Sequence, residues 1–117
     1  MQNIVREIKR ENECEKREIK NRINQAAEEI ERLKVDFLKI DKNMKIMILF
    51  GSLAEDNIKA LDFDIDIAVK SKKYYQLVSR ALESEFKIDV IDLDVIHKEI
   101  KKSIIKNGKV IYEKREN

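Results

Sequence analysis

The chain has no proline, only two glycines and a single cysteine. Proline and glycine are the residues that most often allow sharp turns, so we expect most of the chain to lie in helices and strands. The lone cysteine, Cys14, excludes an internal disulfide. The longest uninterrupted apolar run, Ile46 to Phe50, is far too short for a membrane span, and no secretory signal is present. We therefore expect a cytoplasmic protein without a membrane anchor.

Charged residues are abundant but nearly balanced. The 25 lysines and arginines oppose 23 aspartates and glutamates, for a net charge of +2. Residues 51–70 carry five aspartates or glutamates against two lysines, and residues 98–115 carry seven lysines or arginines against two glutamates. This arrangement suits a metal, a triphosphate and an acidic partner, although a solvated helix face explains the lysines equally well. A nucleic-acid-binding role is disfavoured because the basic segment lacks interleaved aromatic residues.

Hydrophobic periodicity predicts one domain over residues 1–117, beginning with a long helix over residues 2–38. Apolar residues at spacings of three and four, among them Ala27 and Phe37, place the second half of this helix against a sheet. Its first half either projects into solvent or meets another chain. Strands are predicted at 45–50, 62–69, 87–92 and 109–113, and further helices at 71–86 and 95–106.

This order of elements predicts an α/β or α+β domain with a small mixed sheet and flanking helices. The core is expected over 45–113, with 1–38 as a helical extension. Ser71 and Asp94 are the predicted caps of the two later helices. Helices are expected to cover one face of the sheet and to leave an acidic face for ligand. Tyr75 and Leu82 are predicted on the buried side of the third helix, and His97 on the surface.

A glycine and a serine come directly after the first strand. Gly51 tolerates backbone angles that other residues avoid, and it lets a ligand approach the main chain closely. Ser52 is a good N-cap, and Leu53 to Asp56 fit one helical turn. Free N–H groups at the start of such a turn form an anion site, and phosphate is the usual anion. An isolated Gly-Ser is an ordinary turn in most proteins, so the pair gains meaning only in combination with the acidic second strand.

Two aspartates alternate along the second strand. Asp64 and Asp66 are two residues apart, so their side chains point the same way on a strand. Adjacent like charges repel each other unless cations hold them. Magnesium takes carboxylate oxygens and keeps positions open for phosphate oxygens. The bend and the carboxylate pair therefore predict a site for a nucleoside triphosphate and metal. Asp62, at the start of the second strand, is interpreted as a turn residue.

The third strand supplies one more carboxylate to this site. Asp89 and Asp92 are three residues apart and face opposite sides of the sheet, so only one of them joins the pair.

Three stretches together resemble a known family. Phe50-Gly51-Ser52, then Phe63 to Val69 (FDIDIAV), then Lys87 to Ile91 (KIDVI), are similar to the motifs of the minimal nucleotidyltransferases of the polymerase β-like superfamily. The resemblance covers residues 45–113, and the three stretches occur in the family's order. It implies a catalytic core of mixed sheet with flanking helices.

The resemblance also implies an activity. Gly51 and Ser52 would hold the triphosphate of ATP, and Asp64, Asp66 and Asp89 would bind two Mg²⁺ ions. Asp89 would be the general base for an acceptor hydroxyl that receives AMP, with release of pyrophosphate. Short members of the family resemble the antitoxin of a toxin–antitoxin pair, whose partner is a helical HEPN-type ribonuclease modified on a tyrosine. Protein adenylyltransferase is therefore our leading hypothesis.

Some positions differ from the family's pattern and keep other hypotheses open. Glu55-Asp56 stand where Arg-Gly often comes after the Gly-Ser, and Phe63 replaces a frequent serine. A cation near the phosphates is thereby lost, and Lys59 or Lys70 are the candidates to replace it. The alternatives are a small-molecule nucleotidyltransferase of the aminoglycoside type and a catalytically inert module that grips a partner. The acceptor, the preferred nucleotide, the oligomeric state and the role of residues 1–18 stay open.

Overall fold

The fold is described by a computed structural model of residues 2–115, apart from the side chains at positions 2, 3, 5–7 and 11. The predicted domain bounds, 1 and 117, lie outside these residues. Helices and strands occur in the predicted order. They are α1 (Gln2–Ile40), β1 (Ile46–Phe50), α2 (Gly51–Ala54), β2 (Ile65–Lys70), α3 (Tyr74–Leu82), β3 (Ile88–Asp92), α4 (Lys98–Asn107) and β4 (Lys109–Glu113). Over residues 2–115, no helix has the length and apolar composition needed to cross a bilayer.

The strands form one mixed sheet in the order β3-β2-β1-β4. β1 runs antiparallel to both β2 and β4, whereas β2 runs parallel to β3. The parallel pair is joined by a crossover through α3, as parallel neighbours require. The predicted mixed sheet with flanking helices is confirmed, and so is the long N-terminal helix. The register aligns Asp66 of β2 with Asp89 of β3.

Among the side chains of helix α1 that the structure describes, those that join the core lie in its second half. Its buried apolar residues are Ala26, Ile30, Leu33 and Phe37. Ile4 and Ile8, near its start, are 60% and 51% exposed. At 1.5 Å per residue the 39-residue helix is about 58 Å long, which explains the longest dimension of the molecule, 65 Å. The predicted packing of the second half is confirmed, although Ala26 is buried and Ala27 is exposed.

The sheet is covered on both faces, so the prediction that helices cover only one face was wrong. On the face covered by α1 and α3, the core includes Met47, Leu49, Ile67 and Val69. On the face covered by α4, the core consists of Ile48, Ala68, Leu93 and Ile104. The middle residues of β1 and β2 are apolar on both faces of the sheet. Strands of this kind need a covering layer on each face.

Helix α3 starts at Tyr74, later than predicted, because Ser71 is used elsewhere. The hydroxyl of Ser71 donates to Oδ2 of Asp41 at 2.6 Å and accepts from the backbone N–H of Lys73 at 3.0 Å. Lys73 is the N-cap residue. Ser71 therefore fixes the turn that precedes the helix and does not cap the helix itself.

The buried side of α3 is narrower than predicted. Leu77 and Ala81 are buried, whereas Tyr75 and Leu82 are 83% and 78% exposed. The helix ends at Leu82, before the predicted end at residue 86, although Phe86 is still buried. Leu82 is thus a large apolar side chain left on the surface.

Helix α4 also starts later than predicted, with a different cap. Its N-cap is His97, whose Nδ1 accepts from the backbone N–H of Glu99 at 3.2 Å. The predicted cap, Asp94, lies in the preceding turn, where its N–H donates to Oδ1 of Asp92 and its carboxylate is 3.6 Å from Lys70. The prediction that Asp94 caps α4 was therefore wrong. His97 is exposed, as predicted, and it is the N-cap residue of α4.

An ionic network joins α1 to α3 beside the larger core. Nε of Arg80 donates to Oδ2 of Asp36 at 2.6 Å, and its Nη2 lies 3.4 Å from Oε1 of Glu29. The side chains of Arg80 and Glu29 are only 18% and 7% exposed. Removing one partner from such a pair leaves a poorly solvated charge, which is costly.

We expect Arg80→Ala to lower the free energy of unfolding by about 2 kcal/mol, because Glu29 and Asp36 lose charged hydrogen bonds. Arg32→Ala is the matched control. Arg32 also reaches Glu29, at 3.5 Å, but it is 56% exposed, so its loss should cost less than about 0.5 kcal/mol. Urea unfolding followed by circular dichroism measures both. Equal losses of unfolding free energy in the two variants would contradict the conclusion that the poorly solvated Arg80 stabilises the fold more than Arg32 does.

Candidate active site

Gly51 makes the bend between β1 and α2. Its φ angle is +78°, in the left-handed region where a residue with a Cβ atom is strained. A Cβ atom at this position would also overlap Oδ2 of Asp66 and lie 3.2 Å from its Cγ. Glycine is therefore required for two independent reasons. The main chain of the bend lies directly against one of the predicted metal-binding carboxylates.

Helix α2 is a single turn whose start differs from the prediction. Its N-cap is Phe50, in extended backbone and without a side-chain hydrogen bond to the helix. The predicted capping role of Ser52 was therefore wrong. Ser52 is instead an exposed residue inside the turn, and it lines a cavity together with Asp64 and Asp66. The first N–H groups of a helical turn have no partner within it, so the bend keeps the chemistry of an anion site.

Asp56 comes after α2 with a φ angle of +55°. It stands where the family often has glycine, and it adopts a backbone conformation that glycine favours. Aspartate tolerates this conformation better than most residues do. The neighbouring Glu55 is exposed and is not among the residues that line the cavity beside Ser52. Although Glu55-Asp56 replaces Arg-Gly, the backbone at Asp56 keeps a conformation typical of glycine. Neither Glu55 nor Asp56 lines the cavity beside Ser52.

Three predicted carboxylates influence one another at this end of the sheet. Asp66 and Asp89 are aligned in register on strands that lie about 4.8 Å apart, so their side chains share a face. The pKa of Asp66 is raised, first by burial and then by the negative charges of Asp89 and Asp64, while Lys87 lowers it. Asp89 is therefore the acid of β3 that neighbours the pair, and Asp92 turns to the loop before α4.

The donor set fits a hard divalent cation. Carboxylate oxygens are the ligands that Mg²⁺ prefers, and a bound cation would relieve the repulsion that raises the pKa of Asp66. As the side chains stand in residues 2–115, no three His, Cys, Asp or Glu groups already form a metal-binding cluster. Asp64 instead lies 3.7 Å from Nζ of Lys87. Metal binding by Asp64, Asp66 and Asp89 thus requires side-chain movement and stays a prediction.

A polar cavity of about 500 Å³ adjoins these acids. Its polar lining comes from Ser52, Asn57, Lys59, Asp62, Asp64, Asp66 and Lys87. The volume is typical of a small-molecule site. Of the two lysines proposed to replace the missing cation, Lys59 lines this cavity. Lys70 lies at the other end of β2, where it pairs with Asp94.

Lys87 is a site residue that sequence analysis missed. It comes directly before β3, two residues from Asp89, and alternation along an extended chain places the two side chains on one face. Its side chain is 73% exposed and pairs with Asp64. The spacing between Lys87 and Asp89 was the signal that could have identified it.

Comparison with known proteins agrees with this geometry. Residues 31–117 match the family described as polymerase beta, nucleotidyltransferase. The chain belongs to the polymerase β nucleotidyltransferase family. The match begins inside α1, ahead of the 45–113 expected from the motifs, at the part of the helix that packs on the sheet. Among curated proteins, none matches the chain.

Solved structures share the nucleotidyltransferase fold. A crystal structure of a toxin–antitoxin with AMP-PNP is 20% identical, with a TM-score of 0.59, and the match covers 73% of this chain and 74% of that chain. A mutant of the MntA-HpeT toxin–antitoxin is also 20% identical, with a TM-score of 0.53 and coverage of 73% of each chain. At these identities the likeness shows the fold, and family membership supports nucleotidyl transfer in general.

We expect Gly51→Ala to destabilise the nucleotidyltransferase by about 2 kcal/mol, because alanine is strained at this φ angle. Its Cβ atom would also push Asp66 aside, so binding of ATP with Mg²⁺ should weaken more than about tenfold. Ser52→Ala is the control for stability, since it leaves the backbone unchanged. Thermal unfolding and calorimetry measure the two effects. Unchanged stability and ATP binding in Gly51→Ala would show that the close approach to Asp66 is unimportant.

The raised pKa of Asp66 predicts how stability varies with pH when metal is absent. Because the folded state binds the proton more tightly, the corresponding stability is complete below the ordinary pKa of 3.8 and is lost as the pH rises through the folded pKa. Asp66→Asn should therefore raise the melting temperature at pH 7 in EDTA, and the gain should shrink as the pH falls towards 3. Asp62→Asn, at an exposed position, should change the melting temperature little at either pH. A lower melting temperature for Asp66→Asn at pH 7 would contradict the view that burial and repulsion by Asp89 and Asp64 destabilise the ionised Asp66.

Proposed function

We propose that this nucleotidyltransferase transfers AMP from ATP to a hydroxyl of a partner protein, and that the partner is a HEPN-type toxin to which it serves as antitoxin. The observation that carries the proposal is the contact of the Gly51 bend with Asp66, which is itself aligned with Asp89. A turn suited to phosphate thus adjoins acids suited to metal. The structural neighbours solved as toxin–antitoxins support the choice of partner, and ATP as the substrate suits the cytoplasm.

Each group at the site has a proposed role in binding. Asp64, Asp66 and Asp89 would hold two Mg²⁺ ions, which when bound supply Lewis-acid activation and neutralise phosphate charge. The hydroxyl of Ser52, which lines the 500 Å³ cavity, and the backbone of the neighbouring Gly51 would bind the triphosphate. The AMP-PNP of one structural neighbour supports an ATP-like nucleotide.

The chemistry depends on the positions of the charged side chains. The acceptor oxygen attacks the α-phosphorus of ATP, a new P–O bond forms, and the bond to the bridging oxygen of pyrophosphate breaks. The proton of the acceptor hydroxyl passes to the carboxylate of Asp89, which is exposed and so within reach of a protein acceptor. Lys59 and Lys87 would offset the charge of the departing pyrophosphate.

The test combines binding with transfer. Calorimetry with ATP and Mg²⁺ should show binding to the natural protein and weakened binding to Asp64→Asn. Labelled AMP from [α-³²P]ATP should appear on the toxin encoded by the neighbouring gene, and Asp64→Asn or Asp66→Asn should reduce this labelling more than about 100-fold. Asp62→Asn, which removes an exposed acid from the same cavity, is the matched control and should retain labelling.

Other outcomes would favour the alternatives. Label on kanamycin and none on the toxin would indicate a small-molecule nucleotidyltransferase of the aminoglycoside type. Binding of the toxin without binding of ATP and Mg²⁺ would indicate an inert binding module. Full activity in both Asp64→Asn and Asp66→Asn would contradict the assignment of the carboxylates.

A further inference from the structure

Another cavity lies at the end of the sheet opposite to the carboxylates. It has a volume of about 360 Å³ and forms where the loops before β1, after β2, after β3 and after β4 come together. Along β2, Lys70 at this end is four residues from Asp66, which corresponds to about 13 Å of extended strand. Its lining residues differ from those of the polar cavity beside Ser52. We call it the lysine cavity.

Positive charge is concentrated in the lysine cavity. Its lining includes five lysines and two aspartates, which leaves an excess of three positive charges, whereas the whole chain carries a net charge of only +2. The lysines are Lys45, Lys70, Lys72, Lys73 and Lys114. Like charges that gather in this way repel one another, and a bound anion would relieve that repulsion.

Three of the lysines are held in a row by the sheet. The N–H of Lys45 donates to the carbonyl of Lys70 at 2.9 Å, and the N–H of Lys114 donates to the carbonyl of Lys45 at 2.9 Å. The three residues thus lie side by side at the ends of β2, β1 and β4, which are neighbouring strands about 4.8 Å apart. The sheet therefore keeps the origins of three positive side chains close together.

The two aspartates of the cavity leave most of this charge available. Asp41 is buried, and its carboxylate accepts from the hydroxyl of Ser71 at 2.6 Å and from the backbone N–H of Asn43 at 2.9 Å. It therefore holds the loops of the cavity together through neutral donors. Asp94 pairs with Lys70 at 3.6 Å.

The other lysines have no carboxylate beside them. Lys73 and Lys114 donate to neutral oxygens, which are the backbone carbonyl of Ile40 at 3.1 Å and the side-chain amide oxygen of Asn43 at 3.2 Å. Within the part of the chain that the structure describes, Lys70 is the one lysine of the five that forms an ion pair. Four of the five charges are thus available to a ligand.

Helix α3 begins beside the cavity and adds to its positive potential. Its N-cap residue, Lys73, lines the cavity. The first turn, Tyr74 to Gln76, is without an acidic residue in the sequence. The N-terminal end of a helix dipole is positive, so it supplements the charge of the lysines.

The lining favours an anion with several phosphate groups. It consists of lysine, aspartate, asparagine and serine, and these residue types offer no aromatic ring on which a nucleic acid base could stack. The row of lysines across three strands is about 10 Å long, so a single phosphate contacts only part of it, whereas a chain of phosphates extends along it. The volume is at the lower end of the range for small-molecule sites.

We propose that the lysine cavity is a second anion site, which binds an oligophosphate such as pyrophosphate or triphosphate through its phosphate groups alone. The phosphate chain lies across the row of Lys70, Lys45 and Lys114, and Lys72 contacts it from the turn after β2. The site uses neither the carboxylates nor a metal ion, so it is independent of the proposed transfer of AMP. A free oligophosphate and the tail of a nucleoside triphosphate share this chemistry, and the experiment distinguishes them.

Backbone amide NMR of the complete chain, titrated with inorganic triphosphate in EDTA, tests the proposal. EDTA removes divalent ions, so the carboxylates repel the probe from the candidate active site. We expect saturable shifts at Lys45, Lys72 and Lys73, with little change at Ser52 and Asp64. ATP should bind at the same amides no more tightly than triphosphate, and inorganic phosphate should bind at least about tenfold more weakly.

Matched variants locate the binding. Lys45 and Lys72 are exposed, so Lys45→Gln and Lys72→Gln should leave the melting temperature nearly unchanged. Each should weaken triphosphate binding about fivefold, and the double variant more than about tenfold. Lys102→Gln, at an exposed position of α4, makes the same change of net charge and should leave binding unchanged. Lys59→Gln, in the polar cavity, should also leave it unchanged.

Several results would overturn the proposal. Natural affinity in the double variant, or shifts confined to Ser52 and Asp64, would exclude the lysine cavity as the site. Shifts that never saturate would indicate an adventitious ion only. Tenfold tighter binding of ATP than of triphosphate would show that the nucleoside is recognised, against binding through phosphate groups alone. Tighter binding of a single-stranded oligonucleotide than of triphosphate at Lys45 and Lys72 would assign the cavity to nucleic acid instead.

Discussion

The structure depends on holding like charges together at one end of a sheet. Asp66 is partly buried, faces the charge of Asp89 on the next strand and lies against the main chain of Gly51. A fold does not gain stability from such an arrangement, because burial and repulsion both disfavour the ionised form. A bound cation would offset the repulsion between the carboxylates, and a phosphate could then bind to that cation. Active sites commonly hold groups whose pKa is perturbed in this way.

The rest of the chain supplies the rigidity that this arrangement requires. β2 lies inside the sheet, paired on both edges, and its middle is buried on both faces by α1, α3 and α4. The second half of α1 belongs to this support and is tied to α3 through Arg80. Strands that cannot shift keep the carboxylates close despite their repulsion, whereas an exposed loop would let them separate.

Asymmetric covering of the sheet explains why a polar and an apolar surface meet at the acids. The short α2 and the loop to β2 bring polar residues and Lys59 to one side. On the other side β3 is an edge strand, and the exposed Leu82 and Ile100 extend past it from helices on opposite faces. Exposed apolar surface of this kind costs solubility, and a bound partner would remove that cost.

The sequence by itself determined the order of the elements, the mixed sheet, the bend at Gly51 and the spacing of Asp64 and Asp66, because local periodicity and backbone chemistry govern these features. Only the tertiary structure decided which acid of β3 neighbours Asp66, since that depends on the register between strands that are far apart in the chain. It also decided that both faces of the sheet are covered and that Lys87 joins the site. The cap of α3 differed from the local prediction for the same reason. The hydroxyl of Ser71 donates a hydrogen bond to Asp41, thirty positions away in the chain, and local sequence patterns do not reveal such a contact.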